Sequence, residues 1–166
     1  PGPGWMVNAL FARNSTTTKN TTIYMDKTAP LSLIHTTLIS PTAPSGATQA
    51  VYIAAGTIYL SNTLIATHTI GIAQAGGTVS DWNTLFAGVA TPYNGAVTSV
   101  GGITGTAGFV NPTADDYHLG AGSAAINAGV DAGVNVDIDG QSRPQGGGFD
   151  IGYDESLASP RAYLPL

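Results

Sequence analysis

The chain has 166 residues, with 5 basic and 10 acidic groups and a net charge of -5. That length allows one domain with a real core, and the acidic balance excludes a nucleic-acid surface, because phosphate contacts need basic groups. No apolar run reaches the length of a membrane-spanning helix. The absence of cysteine rules out disulfides and thiolate chemistry, and 43% apolar content argues against disorder. The chain opens on Pro1-Gly2-Pro3-Gly4 without an initiator methionine, which reads as a processed form or a fragment.

In chain order, one short pattern recurs: Asn8-Ala9-Leu10-Phe11-Ala12, Thr36-Thr37-Leu38-Ile39-Ser40, Asn62-Thr63-Leu64-Ile65-Ala66 and Asn83-Thr84-Leu85-Phe86-Ala87. Two further apolar runs fall between successive marks. One kind is Thr22–Met25, Ala50–Ile53 and Gly71–Ala73; the other is Leu31–Leu33, Thr57–Leu60 and Thr78–Ser80. The runs are short, rich in β-branched residues and bounded by Gly, Pro, Ser or Asn, which predicts strands. No segment keeps a helical apolar period. Three strands per repeat, without hairpin turn signals, predict an all-β parallel β-helix of about four coils over residues 1–95. Repeat length varies at residues 13–21, 41–49 and 67–70, where a solenoid tolerates insertions.

In a stack of coils, equivalent positions form columns about 4.8 Å apart. The alignment predicts a polar ladder of Asn8, Thr36, Asn62 and Asn83, whose side chains satisfy one another from coil to coil. Leu10, Leu38, Leu64 and Leu85 form one apolar column, and Phe11, Ile39, Ile65 and Phe86 the next. Successive strand residues point to opposite faces, so either the chain bends there or one of these columns lies outside and needs a cover, from the C-terminal segment or from a partner; of these, cover by the C-terminal segment is expected. Stacked like charges would repel at this spacing, which accounts for nearly uncharged coils.

After Tyr93 the repeat stops. Residues 96–108 read as a last irregular coil or linker, 109–155 as an acidic capping segment holding eight of the ten acids, and 156–166 as a tail. The capping segment carries Phe109-Val110-Asn111-Pro112, Asp116-Tyr117-His118-Leu119, Gly122-Ser123-Ala124-Ala125-Ile126-Asn127-Ala128-Gly129, Asp137-Ile138-Asp139-Gly140-Gln141-Ser142-Arg143-Pro144 and Asp150-Ile151-Gly152. In these motifs the chain resembles the C-terminal part of bacterial "choice-of-anchor" proteins, within the pectate-lyase-like β-helix superfamily. Ala124 stands where that family usually has proline, and Asn127 where it often has aspartate. The resemblance implies a right-handed parallel β-helix and export to the cell surface or medium. It implies no activity, because β-helices host many functions.

The scaffold is also that of polysaccharide lyases and hydrolases, which need a base or facing carboxylates. The coils offer only Asp26 and Asp81 as acids, in different columns, so no catalytic residue is assigned. Asp137, Asp139 and Asp150 form the candidate calcium set, as an oxygen-rich turn; no other cofactor is expected. His35, His68 and His118 are dispersed and read as structural. Tyr24 and Tyr52 share a column and are the candidate sugar contacts. Asn14-Ser15-Thr16 and Asn20-Thr21-Thr22 match the N-glycosylation pattern. The expected function is a non-catalytic structural or adhesive module outside the cell, self-associating head to tail or capped by upstream chain at its N-terminal edge. The alternative is a carbohydrate-binding or polysaccharide-processing β-helix, the tail of a larger lyase or hydrolase.

Overall fold

The computed structural model describes residues 2–14, 20–40 and 49–157. The chain is nearly all β, with a single short 3-10 turn among the described residues. Five successive repeats supply β1 (Gly4–Val7), β2 (Leu10–Ala12) and β3 (Thr21–Met25); β4 (Leu31–Ile34), β5 (Thr37–Ile39) and β6 (Gln49–Ile53); β7 (Thr57–Ser61), β8 (Leu64–Ala66) and β9 (Ile70–Gln74); β10 (Thr78–Trp82), β11 (Leu85–Ala87) and β12 (Thr91–Asn94); then β13 (Thr98–Val100) and β14 (Ile103–Thr104). Every third strand joins the same sheet. The first sheet runs β1-β4-β7-β10-β13, the second β2-β5-β8-β11-β14 and the third β3-β6-β9-β12, all parallel. This is the strand order that a parallel β-helix requires. Residues 98–104, read from sequence as irregular, continue the first two sheets in register.

The three sheets share one core. Ile23, Leu33, Leu38, Ile53, Ile65, Ile72, Val79 and Phe86 come from all three of them. The second sheet is buried on both faces. Leu38, Ile65 and Phe86 point into the common core, and Ile39, Leu64, Leu85 and Ala87 point the other way, against Tyr117, Leu119, Ile126, Ile151 and Tyr153. The stripe left outside by strand alternation is therefore covered by the C-terminal part of the chain.

That part begins as an antiparallel hairpin, β15 (Phe109–Asn111) and β16 (Asp116–Leu119), joined by the 3-10 turn Pro112–Ala114. Residues 120–157 then form a strap of turns. It starts at the last repeat, where the Ala124 N–H donates to the Thr106 carbonyl at 3.0 Å. It runs back along the flank of the second sheet to the first repeat, where Asn8 Nδ2 donates to the Val136 carbonyl at 2.7 Å.

The register corrects one column. Leu10 pairs with Thr37, Thr37 with Leu64 and Leu64 with Leu85. Counting back two residues, the polar ladder holds Asn8, His35, Asn62 and Asn83, and Thr36 sits one position further on. The apolar columns shift likewise: Phe11 stacks on Leu38, Ile65 and Phe86. The physical reason is the turn between the first and second sheets. Asn8, His35, Asn62 and Asn83 have φ of 48, 47, 49 and 58°, and Gly101, next in the column, has 73°. A left-handed residue is needed at this turn to swing the chain from the first sheet to the second, and Asn and Gly adopt that conformation most readily. Histidine meets the same requirement at the second repeat.

Candidate functional site

The left-handed column is also where the strap is held. Asn83 Nδ2 donates to the Ala128 carbonyl at 3.3 Å, and Asn62 Nδ2 to the Val130 carbonyl at 2.7 Å. Asn62 Oδ1 accepts the Val130 N–H at 3.0 Å. Asn8 Oδ1 accepts from Arg143 at 3.4 Å. These amides thus bond chiefly to the strap, whereas a stacked ladder would bond each to its neighbours. The one contact within the column is Asn62 Nδ2 to His35 Nε2, 3.0 Å. An amide nitrogen only donates, so Nε2 accepts and the imidazole is neutral. Burial, reinforced by Arg143, lowers the His35 pKa to about 4. Thr36 lies buried beside the column, with its hydroxyl donating to the Met6 and Ile34 carbonyls at 3.4 Å.

The strap's acids converge on its own backbone. Arg143 and Glu155 are fully buried and paired, with Nη1 2.6 Å from Oε2. Glu155 also accepts the N–H groups of Gln145 and Asp150, at 2.7 and 3.0 Å. Asp150 Oδ1 accepts the Asn127 N–H and Oδ2 the Ser156 N–H, both at 2.7 Å. Burial raises its pKa to about 6. Asp137 accepts from the N–H groups of Asp139, Gln141 and Glu155 at 2.8–3.1 Å. Asp137 and Asp150 thus bond to turn N–H groups beside the buried Arg143, and the ligand atoms of Asp137, Asp139 and Asp150 do not converge on one point. Asp139 instead points at His118, with Oδ2 2.9 Å from Nε2.

Among the described residues, the cluster whose ligand atoms lie close enough to hold an ion is His118, Asp139 and Asp154. His118 Nδ1 lies 2.6 Å from Asp116, which with its other acidic neighbours raises the histidine's pKa against the opposing effect of burial. Asp154 is occupied at Oδ2 by the Leu119 N–H, 2.6 Å away. With a protonated His118, Asp116 and Asp139 already make a partly exposed ion-pair cluster around it.

The other two histidines stay structural. His68 is buried between the Ala66 carbonyl (Nδ1, 2.9 Å) and the Thr22 hydroxyl (Nε2, 3.1 Å), and burial lowers its pKa to about 4. Asp26 is exposed and pairs with Lys27. Asp81 points into the core, where Tyr93 donates to it at 2.5 Å and Thr84 donates to its other oxygen. The two coil acids therefore do not face each other. Tyr24 and Tyr52 share a column, with ring centroids 5.4 Å apart and planes 4° from parallel. Each covers one face of the other, and Tyr24 remains 37% exposed. A cavity of about 800 Å³ lies between the strand ends of the second sheet and the hairpin, walled by Ile39, Ala66, Ala87, Phe109, Thr113 and Arg13. Arg13 is already paired with Asp115 at 2.5 Å, and no carboxylate lines the cavity among the described residues. The Asn14 glycosylation pattern lies partly outside the described residues, as does nearly all of the 156–166 tail.

Sequence reasoning missed the anchoring roles of His35 and of the Arg143–Glu155 pair. A signal for the pair existed, since Arg143 is the one Lys or Arg between residues 109 and 155. No family model, no curated protein and no solved structure matches this chain. No helix among the described residues is long and apolar enough to cross a membrane.

Proposed function

We propose that this chain is a right-handed parallel β-helix module acting at the cell surface or outside the cell, non-catalytic, with a structural or adhesive role. The observation that carries the reading is the use made of its acids. Asp137, Asp150, Asp154 and Glu155 all accept backbone N–H groups that fasten the strap to itself and to the hairpin. Carboxylates committed in this way are not poised to move a substrate proton. The strand order supports the β-helix, and the motifs of residues 109–152 support export by resemblance.

The sheets end in strand edges: β1, β2 and β3 at one end, β12, β13 and β14 at the other. Such edges pair with further chain or with another copy, which supports capping by upstream chain or head-to-tail association.

Incubation of the purified chain with neutral and acidic polysaccharides tests the reading. No release of reducing ends or unsaturated products is expected. Turnover would overturn it in favour of a processing enzyme. Fractionation of cells expressing the full gene is expected to find the protein at the surface or in the medium, and retention in the cytoplasm would overturn that part.

A further inference from the structure

The outward face of the first sheet carries three exposed rings and no charge. Side chains along its strands alternate in and out. Met6, Leu33, Ile58 and Val79 turn inward onto the core. Trp5, Ser32, Tyr59 and Ser80 fall in one outward column, because Trp5 pairs with Ser32, Ser32 with Tyr59 and Tyr59 with Ser80. Trp82 stands two residues along β10 from Ser80, in the next outward column with Ser61, Ile34 and the 43% exposed Val7. Trp5, Tyr59 and Trp82 are 63, 49 and 56% exposed. None of the three packs against another ring, and none of their side-chain polar atoms has a hydrogen-bond partner among the described residues.

Register fixes their spacing. Trp5 and Tyr59 are two strands apart, about 10 Å across the sheet, and Tyr59 and Trp82 are one strand and two residues apart, about 8 Å. The rings thus lie on a shallow diagonal with hydroxyl-bearing residues between them. Rings exposed in this number on one face mark a binding surface. The spaces between them favour one occupant. A protein partner wants a contiguous apolar patch with a dry centre, and here serine interrupts the aromatic column at Ser32 and Ser80. A nucleic acid or acidic glycan wants cations, and Arg13, Lys27 and Arg143, the described cations, lie off these strands. A chain of sugar rings has apolar C–H faces at regular intervals and neutral hydroxyls between them.

We propose that the outer face of the first sheet binds a neutral polysaccharide, with Trp5, Tyr59 and Trp82 stacking on successive sugar faces and the serine hydroxyls bonding to its hydroxyl groups. The proposal rests on the extracellular, adhesive reading above and names the ligand of that adhesion. It moves the sugar contacts from Tyr24 and Tyr52, on the third sheet, to the first.

The test uses the 166-residue chain. Its retention is measured on insoluble cellulose, chitin and mannan, and by affinity electrophoresis in soluble β-glucan, xylan, pectate and alginate. Retention on at least one neutral polymer is expected. Tyr59→Ala and Trp82→Ala should each weaken it tenfold or more at an unchanged unfolding midpoint, and Tyr24→Ala should leave it within twofold. Any of three results overturns the proposal: no neutral polymer bound, binding to the acidic polymers alone, or neutral binding that survives the triple Trp5→Ala, Tyr59→Ala, Trp82→Ala variant. If sedimentation instead shows the triple variant turning an oligomer into a monomer, the face is a self-contact and the proposal falls. The fractionation experiment above is read separately: a cytoplasmic location sinks the extracellular reading whatever the binding result, and failed binding at a surface location sinks this proposal alone.

Discussion

Asn62 holds the backbone of Val130 at both of its polar atoms: Nδ2 donates to the carbonyl at 2.7 Å and Oδ1 accepts the N–H at 3.0 Å. One side chain thus stands in for a strand partner, at a point where the strap has no strand of its own.

Replacing it separates two contributions. Asn62→Gly keeps the left-handed turn (φ 49°) and removes both strap bonds and the bond to His35 Nε2, so a loss of about 3 kcal/mol is expected, since both strap groups and the imidazole are left partly buried without these partners. Asn62→Ala should cost about 1–2 kcal/mol more, because a Cβ disfavours that conformation. Urea unfolding gives both values. In either variant the Val130 amide should exchange faster than the core amides.

How far the sequence foretells this arrangement depends on the kind of signal. The short β-branched runs locate β3 to β11 closely, because alternation and turn residues are local properties. Register is not local. Asn8, Asn62 and Asn83 are visible as a set, yet aligning Thr36-Thr37-Leu38 to Asn62-Thr63-Leu64 by residue type slips the second repeat by one place. The column is defined by a left-handed φ at His35, and a histidine there gives no such cue. The cover over Leu64 and Leu85 follows from strand alternation. The anchoring of the strap does not, because it depends on backbone carbonyls that any sequence possesses. The sugar-contact rings are present in the composition, but only the register separates the free set, Trp5, Tyr59 and Trp82, from the mutually stacked Tyr24 and Tyr52.

Arg143 and Glu155 form a pair with no exposure to water. Breaking it strands a charge, so Arg143→Met is expected to destabilise by about 3–5 kcal/mol. Arg143 also donates to the Gly152 carbonyl at 3.1 Å, and that carbonyl loses its donor as well. Glu155→Gln, which keeps the shape and the acceptor for Gln145, should cost less. Thermal unfolding of the two single variants and the double variant closes the cycle, and a coupling near zero would show that the pair is not acting as one.

Stability should rise with pH between about 4 and 6.5. His35 and His68 have folded pKa values lowered to about 4 from 6.5, so the unfolded chain binds more protons over that interval. Each histidine contributes stability that is lost as pH falls through the interval, roughly 3 kcal/mol at most. Asp150 opposes them. Its pKa is raised by burial to about 6, so the folded chain binds more protons between about 4 and 6 and stability falls there as pH rises. Asp154 and His118, whose pKa values are also raised, act with Asp150; the two buried histidines carry the largest shifts of these groups, so the net slope stays positive. Asp150→Asn should steepen it, and His68→Gln should flatten it. Denaturant midpoints at pH 4.5, 5.5 and 6.5 decide the sign.

Gly152 has φ 109° and lies where the strap crosses β5 and β8. A Cβ there would stand 2.8 Å from Thr37 Oγ1 and 3.5 Å from the Leu64 Cβ. Gly152→Ala is therefore expected to cost roughly 2–3 kcal/mol through backbone strain and contact together. Thr37 accepts the Tyr153 N–H at 3.2 Å, so Thr37→Val should cost about 1 kcal/mol by leaving that group unpaired. Calorimetric midpoints of the two variants check the order.

The handholds at Asn83, Asn62 and Asn8 also make the strap a ruler. Ala128, Val130 and Val136 meet them in sequence, so the number of repeats is measured against the length of chain that returns past them. A solenoid is usually free to gain or lose a repeat, because each unit contacts only its neighbours. Here an added repeat between Asn62 and Asn83 would open a gap of about 4.8 Å that the two-residue step from Ala128 to Val130 does not span twice over. Repeat number and strap length must therefore change together, so lengthening this scaffold by duplication takes two coordinated edits.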